Sequence, residues 1–413
     1  MPITAEEKKI LRQLAMEYRA CAENPVNAER ERRARDTIAL KPGRPLVWIF
    51  EEPWNEINVD DQLTMRCTDP FAREMETFFR RQLLRWKYYQ ADMLLENFYR
   101  VGKSWSSTGD GFTIQENIAV TDKENHIVSH EYTDLLKDEE ALEKIQIPTI
   151  TAHPEKDAQN VALAEEILDG ILPVRLCGHY HYASIWDRIS MLRGVGPMYL
   201  DLALRPEFTH EMVKKFVAVH TATVDQMDAQ GLLSGDLPHL HCTPCQSDEL
   251  DEIEKKNGPS IASSWFRGLA QPFSSVSPDM HEEFEIDYIK PLAERFGFTY
   301  YGCCEPLSDR IEQLSKIKNL RKIGVSPWSG IWESAEQMGS KYVFSRKPNP
   351  AMVAGSSLDE DAIRADIREC AQACIKYGCA WDITLKDIST VGYRIQNLAR
   401  WAEVVEETLD EFY

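Results

Sequence analysis

Short, dense apolar runs alternate along this chain with longer stretches whose apolar residues recur three and four positions apart, the rhythms of buried strands and amphipathic helices. Residues 4 to about 38 carry the helical rhythm and stop before Lys41-Pro42-Gly43. RPLVWIFEEPW (44–54) predicts a first strand ending in Glu51, Glu52 and Pro53; a long helix fits 71–90, and ADMLLENFYRVG supplies a second strand. KSWSSTGDGFTIQENIAV predicts a loop or hairpin excursion, and the charged segment 121–146 a solvated face. The alternation then becomes regular. A helix at 157–168 leads to a third strand, LPVRLCGHY (172–180), then to helices at 184–203 and 207–229 and a fourth strand with an elaborated loop at 231–250. After the linker KNGPS, a segment SSWFRGLAQPFSSV precedes a helix, SPDMHEEFEIDYIKPLAERFG, capped by Ser277, with Pro278 at its first position and Gly297 closing it. FTYYGCC, LRKIGVSPW, KYVFSRKPNP and CAWDITLKDIST complete the strands; helices fall between them, and a last one reaches Tyr413.

About eight strands alternating with helices predict a TIM-type (β/α)₈ barrel over residues 41–413, with an N-terminal helical extension over 1–40. A doubly wound sheet is the rival, yet neither GxGxxG nor a P-loop follows any strand. The chain has 47 Lys and Arg against 67 Asp and Glu, and its formal charge of -20 disfavours nucleic acid and anionic membranes as partners. No apolar run is long enough to span a bilayer, and the first residues form an amphipathic helix with no signal-peptide core. Ten cysteines in such a chain read as thiols or metal ligands, and the expected location is cytoplasmic.

Chemistry concentrates in FTYYGCCEPL (298–307), where an aromatic, β-favouring run stops at a glycine, two adjacent cysteines and a glutamate. Ser308 stands where it would cap the next helix. A βα barrel presents its active site at the C-terminal ends of its strands, so Cys303, Cys304 and Glu305 are candidate site residues; ordinary packing of buried cysteine is the alternative. Two further strand ends carry similar groups, Cys177-Gly178-His179-Tyr180-His181 and His239-Leu240-His241-Cys242-Thr243-Pro244-Cys245. Thiolates and imidazoles gathered at one mouth suit zinc. A lone His179 or His181 serves equally as a hydrogen-bonding core or loop residue. Arg346-Lys347 reads as a carboxylate or phosphate site or as a surface turn, and Asp382 with Lys386 as an internal ion pair or as catalytic groups.

The passage 268–307, GLAQPFSSVSPDMHEEFEIDYIKPLAERFGFTYYGCCEPL, leads an SP-started helix into a strand and a cysteine-bearing turn. In this it resembles the uroporphyrinogen decarboxylase superfamily, whose order of elements the chain follows from about residue 44 to its end. The resemblance implies a TIM-type barrel with one of two activities: cofactor-free decarboxylation of uroporphyrinogen, or zinc-dependent methyl transfer to or from a corrinoid (cobalamin) protein. The decarboxylases' arginine-rich motif is missing, and Asn97 stands near the place of their catalytic Asp, which argues against the first. The methyltransferases hold zinc through His-x-Cys at the fifth strand and a later Cys near the seventh. Here Tyr301-Gly302-Cys303 replaces the former and FSRKPNP lacks the latter.

The resemblance therefore implies zinc held by Cys303, Cys304, His241 and Cys242, with Glu305 and Cys245 as further donors, polarising an O-methyl or N-methyl group of a small methylated substrate. Trp54, Trp105, Trp265 and Tyr300, with Asn97, would line an aromatic, cation-tolerant substrate pocket; the alternative is that these aromatics are core. The runner-up function is a metal-free decarboxylase or lyase for a small carboxylated substrate, working through Glu305, His179 and Arg346. A non-catalytic binding subunit is a third reading. The sequence leaves the direction of transfer and the oligomeric state, a homodimer included, open.

Overall fold

Seven short strands form the spine: β1 (Leu46–Ile49), β2 (His181–Ala183), β3 (Trp265–Gly268), β4 (Phe298–Tyr301), β5 (Leu320–Val325), β6 (Val343–Arg346) and β7 (Trp381–Leu385). They pair in the order β1-β7-β6-β5-β4-β3-β2, every pair parallel. Helices cover the outer face, so β1, β3, β4, β6 and β7 are buried along their whole length, as parallel strands are when both faces are packed. The computed structural model describes residues 3–120 and 128–413; part of the predicted charged segment, 121–127, lies outside the described residues.

The predicted helical lead-in forms two helices, Ala5–Ala22 and Val26–Ile38. Thr4 and Glu7 make a reciprocal capping box at the start of the first. Its Leu11, Ala15 and Tyr18 pack in one cluster with Phe79 of helix Pro70–Tyr88 and with Ile167 and Leu168 of helix Pro154–Leu168. The excursion after residue 103 is built from short antiparallel pairs, Trp105–Ser107 with Ile150–Ala152 and Glu116–Ala119 with Ser129–Tyr132. Among the described residues no helix is long and apolar enough to cross a membrane. All ten cysteines are free thiols.

Several expectations are corrected. The predicted second and third strands contribute Tyr99–Gly102 and Val174–Cys177, which pair with each other in a separate two-stranded sheet. The parallel ladder therefore counts seven strands and is not closed by hydrogen bonds between β1 and β2 among the described residues. The predicted fourth strand does not form. Residues 231–246 make only two isolated bridges, His179 to Leu233 and Leu240 to Thr243, because Pro238 and Pro244 have no N–H to give a ladder. Its place beside β4 is taken by β3, a four-residue strand containing an arginine and a glycine, too short and too polar to stand out by pattern.

The helix expected over 277–297 is real but broken into Pro278–His281, a π turn at Glu282–Ile286 and Asp287–Ala293. Pro291 cannot donate to the carbonyl four residues back, and a wide turn absorbs the misfit. Ser277 caps it as expected, accepting from Met280 N. Gly297 is not its cap: a β-carbon there would lie 2.5 Å from Ala262 O, so the glycine permits a close chain crossing. Nor does Ser308 cap a helix. Its hydroxyl accepts from Gly330 N at 3.1 Å, and the next helix, Ile311–Leu314, starts without a side-chain cap.

Alternate residues of each strand face the concave side. In register across it stand Tyr182, Arg267, Tyr300 and Lys322, then Ser345 and Asp382. Lys322 on β5 reaches past β6 to ion-pair with Asp382 on β7 at 2.5 Å, both side chains essentially unexposed. Lys322 also donates to Pro244 O at 2.8 Å, and Ser345 and Thr243 donate to Asp382 at 2.6 and 3.3 Å. Lys322→Met would leave Asp382 charged and buried, at a cost of about 3–5 kcal/mol. The expected result is a matching fall in the urea unfolding free energy, with Lys322→Met, Asp382→Leu less destabilised than the single variant.

Candidate functional site

The C-terminal ends of the seven strands open on one side, and the side chains there form a rim. β4 ends at Gly302, whose φ of 98° turns the chain sharply; a β-carbon at that position would lie 2.4 Å from Leu307. The turn sets Cys303 and Cys304 side by side, their sulfurs 3.6 Å apart. β7 ends at Lys386 and Asp387. The Lys386 ammonium stands 3.2 Å from Cys303 Sγ and 3.5 Å from Cys304 Sγ, and it also pairs with Asp387. Cys304 Sγ lies 3.1 Å from Asp387 Oδ2. From β1, Glu51 accepts from Asp387 N at 3.2 Å and faces His241 Nε2 at 3.4 Å. Glu51, His241 and Asp387 all hold positive φ, at 55°, 53° and 55°. That conformation is costly for side-chain-bearing residues and clusters at functional sites.

These contacts fix the charges. A hydrogen bond from the Cys304 thiol, another from His241, and the nearby Arg267 and Lys386 charges hold Cys303 well below the usual thiol value, against the opposing effect of burial. Cys304, the donor, is pushed up and stays a thiol. Burial works against the Lys386 charge, but the Cys242 and Cys303 sulfurs and the Asp387 carboxylate raise its value, so the ammonium keeps its proton.

Asp187, in the first turn of helix Ile185–Arg193 after β2, is half-buried at the same rim, and Gln271 Nε2 donates to its Oδ2 at 3.2 Å. Burial, with the charge of Glu305 next, pushes its carboxyl up to about 7. Glu305 is fully buried, and each of its oxygens accepts a backbone N–H: Ala270 at 3.1 Å and Cys303 at 3.0 Å. Burial raises its value too. It clasps the loops after β3 and β4 together.

The sequence-derived candidates separate into those gathered here and those placed elsewhere. Cys303, Cys304, Glu305 and His241 meet at the rim. Cys242 is buried behind it, where desolvation pushes its thiol up to about 11, and Tyr300 lies in the inner row below. Arg346 points the other way: it pairs with Asp366 on helix Glu360–Tyr377 and donates to Ser326 O at 2.8 Å. Its neighbour Lys347 faces inward and donates to Ser345 at 3.0 Å. His179 bonds Lys103 O at 2.7 Å and rests against half-exposed Trp105, beside the separate strand pair. Trp54 is covered by Arg81 and Arg85. Trp265 is core, donating to Cys245 O at 3.1 Å. Asn97 is exposed in an outer groove beside Arg19 and Asp169. Of the five pocket candidates, Trp54, Trp105, Trp265 and Asn97 thus form no common pocket with the dithiol.

Asp187, Arg267 and Glu51 are functional candidates that sequence reasoning passed over or left unassigned, while Lys347 was read with Arg346 as a carboxylate or phosphate site or a surface turn. Strand-end position was the available signal for Glu51 and Lys347.

The residues present do not fit zinc as they stand. Among the described residues no three His, Cys, Asp or Glu side chains are grouped as metal ligands. The cation beside both sulfurs is the Lys386 ammonium.

No family model matches the sequence, and no curated protein matches it. Among solved structures, a methyltransferase from Methanosarcina mazei shares the architecture, with a TM-score of 0.52 at 12% identity over 93% of this chain and 99% of that one. The likeness is one of fold.

A thiolate stabilised this way has a direct signature. Ultraviolet thiolate absorbance is expected to show one thiolate per chain at neutral pH, absent from Cys303→Ser. In Lys386→Met its titration is expected to move to higher pH, because a stabilising positive charge is gone.

Proposed function

We propose that this chain is a methyltransferase of the uroporphyrinogen decarboxylase-like superfamily, moving a methyl group between a small methylated compound and a corrinoid protein. The reading includes a closed (β/α)₈ barrel, with Tyr99–Gly102 and Val174–Cys177 filling the gap between β1 and β2; Val174–Cys177 leads after three residues into β2 and counts with it as one of the eight strands. Supporting that closure, Asp92 N donates to Val47 O at 2.7 Å and Val47 N to Asp92 Oδ2 at 2.9 Å, so the chain leading to Tyr99 starts beside β1.

The observation that carries the function is the placement of the half-buried Asp187 carboxyl at the rim, held by Gln271 Nε2 at 3.2 Å, where burial and the charge of Glu305 push it up to about 7. A group so poised is partly protonated at neutral pH and can give its proton to the oxygen or nitrogen that a methyl group leaves. The corrinoid, brought by the partner protein, supplies the cobalt nucleophile that takes the methyl. No residue of this chain is asked to ligate it. Tyr182, Asp187, His241 and Cys304 are only half-buried, which leaves the rim within reach of a docked partner. Gln271 orients the acid, while Glu305 and the Cys303 thiolate keep its proton on by repelling a second negative charge. The Lys386 ammonium holds the thiolate in place.

A second reading keeps zinc. The 3.6 Å between the two sulfurs is close to the spacing of two thiolates on one tetrahedral zinc, about 3.7 Å for Zn–S bonds of about 2.3 Å. Metal analysis decides between them. Zinc absent from the wild type and acquired by Lys386→Met supports the first reading. About one zinc per chain, lost in Cys303→Ser, Cys304→Ser, would replace it with the second.

Activity is tested by methyl transfer from a panel of O-methyl and N-methyl compounds to free cob(I)alamin, followed as loss of the Co(I) absorbance. The acid must be protonated to act, so the rate is expected to fall as pH rises through about 7. Asp187→Asn should lose roughly 10²–10⁴-fold and flatten that limb. A limb that persists in Asp187→Asn would remove the acid from the mechanism.

A further inference from the structure

Below the rim the inner row carries two cations that no carboxylate among the described residues pairs with, the Cys303 thiolate being the nearby negative charge for Arg267. Arg267 on β3 is fully buried. Its Nη1 donates to the adjacent Gly268 O at 2.7 Å, while Nε and Nη2 have no hydrogen-bond partner. The guanidinium lies over the ring of Tyr300 at 4.2 Å, with the Tyr182 ring at 5.7 Å. Tyr300 is itself fully buried, and its hydroxyl is likewise without a partner. Lys347, 1% exposed, sits 6.0 Å from the same ring and finds only the Ser345 hydroxyl. Burial lowers its hold on its proton, as a cation without a countercharge requires.

The other cations of this region are matched. Lys322 has Asp382, Lys386 has Asp387 and the thiolate, and Arg346 has Asp366. Among the described residues no carboxylate stands within ion-pairing distance of Arg267 or Lys347. Burying a guanidinium with two idle N–H groups is costly, and native structures pair nearly all such groups. An external anion would supply the missing partner.

We propose that Arg267, Tyr300 and Lys347 form the recognition site for a carboxylate on the substrate. Arg267 Nε and Nη2 present the planar fork that takes both oxygens of a carboxylate. The Tyr300 hydroxyl donates a further hydrogen bond, and Lys347 adds the second positive charge. Tyr182, half-buried and flanking the guanidinium, is the side chain that shifts to admit the ligand. The inference deepens the methyl-transfer reading by naming its substrate class, a small methylated carboxylate, and it rests on that reading for the ligand's being a substrate. The idle donors of Arg267 belong to one planar group, the fork that matches the two coplanar oxygens of a carboxylate.

The test is binding alone, by titration calorimetry on the full chain without corrinoid. The probes are aliphatic and aromatic carboxylates, methoxyacetate and methoxybenzoates among them, each paired with its primary amide, and inorganic phosphate. At least one carboxylate is expected to bind saturably, with its amide at least about 30-fold weaker. Arg267→Met should weaken the carboxylate by a similar factor, with Arg267→Lys between the two. Tyr300→Phe, which removes only a hydroxyl, should cost about fivefold and carries the test if Arg267→Met does not fold. Absence of saturable carboxylate binding, equal affinity for acid and amide, tighter binding of phosphate, or unchanged affinity in a folded Arg267→Met overturns the proposal. Arg267-dependent binding without methyl transfer would leave the carboxylate site standing and remove the reaction.

Discussion

The ion pair between Lys322 and Asp382 governs how this sheet can be built. Both charges are out of water, so their attraction must be supplemented by hydrogen bonds or the pair costs more than it gives. The chain supplies them from two further segments, Thr243 and Pro244 from the long 231–246 loop and Ser345 from β6, while the pair itself joins β5 and β7. Satisfying one buried pair thus fixes the loop in which His241 and Cys242 immediately precede Thr243. His241 then reaches Glu51 at the rim, although its own segment belongs to no strand.

Above that pair the sheet is graded. Trp265, Phe298 and Val343 form an apolar floor. The next inward positions are Arg267, Tyr300, Lys322 and Asp382, and the rim adds Cys303, Lys386, Asp387 and Glu51. Polarity therefore rises from the N-terminal to the C-terminal end of the strands. At the top of this gradient three residues together carry backbone strain: Glu51, His241 and Asp387 take left-handed φ and hold one another by hydrogen bonds and charge. Such conformations survive when neighbours over-determine them, and here three separate segments do so.

Much of the alternation was legible in the sequence, because strands with dense apolar content and helices of regular period announce themselves by pattern. FTYYGCCEPL was legible as a site for the same reason: cysteines and a carboxylate end an otherwise apolar strand. What pattern could not give was direction. Arg346 and Lys347 are adjacent and read as one basic motif, yet consecutive strand residues face opposite sides, and one serves an outer helix while the other faces the interior. Arg267 was hidden because WFRG is too short to register as a strand. Asp187 was hidden inside an amphipathic helix, where an acid near the N-terminus is unremarkable. The rings expected to line a pocket lie apart for a related reason: Trp265 is core, Trp54 lies under Arg81 and Arg85, Trp105 stands half-exposed beside His179, and composition does not say where a ring will face.

The charges at the rim act on one another, and that coupling joins recognition to chemistry. Burial, Glu305 and the Cys303 thiolate raise the Asp187 carboxyl, while Arg267 pulls it down. A carboxylate seated on Arg267 would cancel that downward pull and add a negative charge of its own. Both effects favour the protonated acid. Binding of an anionic substrate would then load the proton that its departing group needs, and the free enzyme would hold that proton less firmly. The same coupling runs in reverse by linkage, so the ligand binds more tightly when Asp187 is protonated. An arginine with no carboxylate partner and two idle N–H groups is costly on its own, but it would give the site a means of sensing that the substrate has arrived.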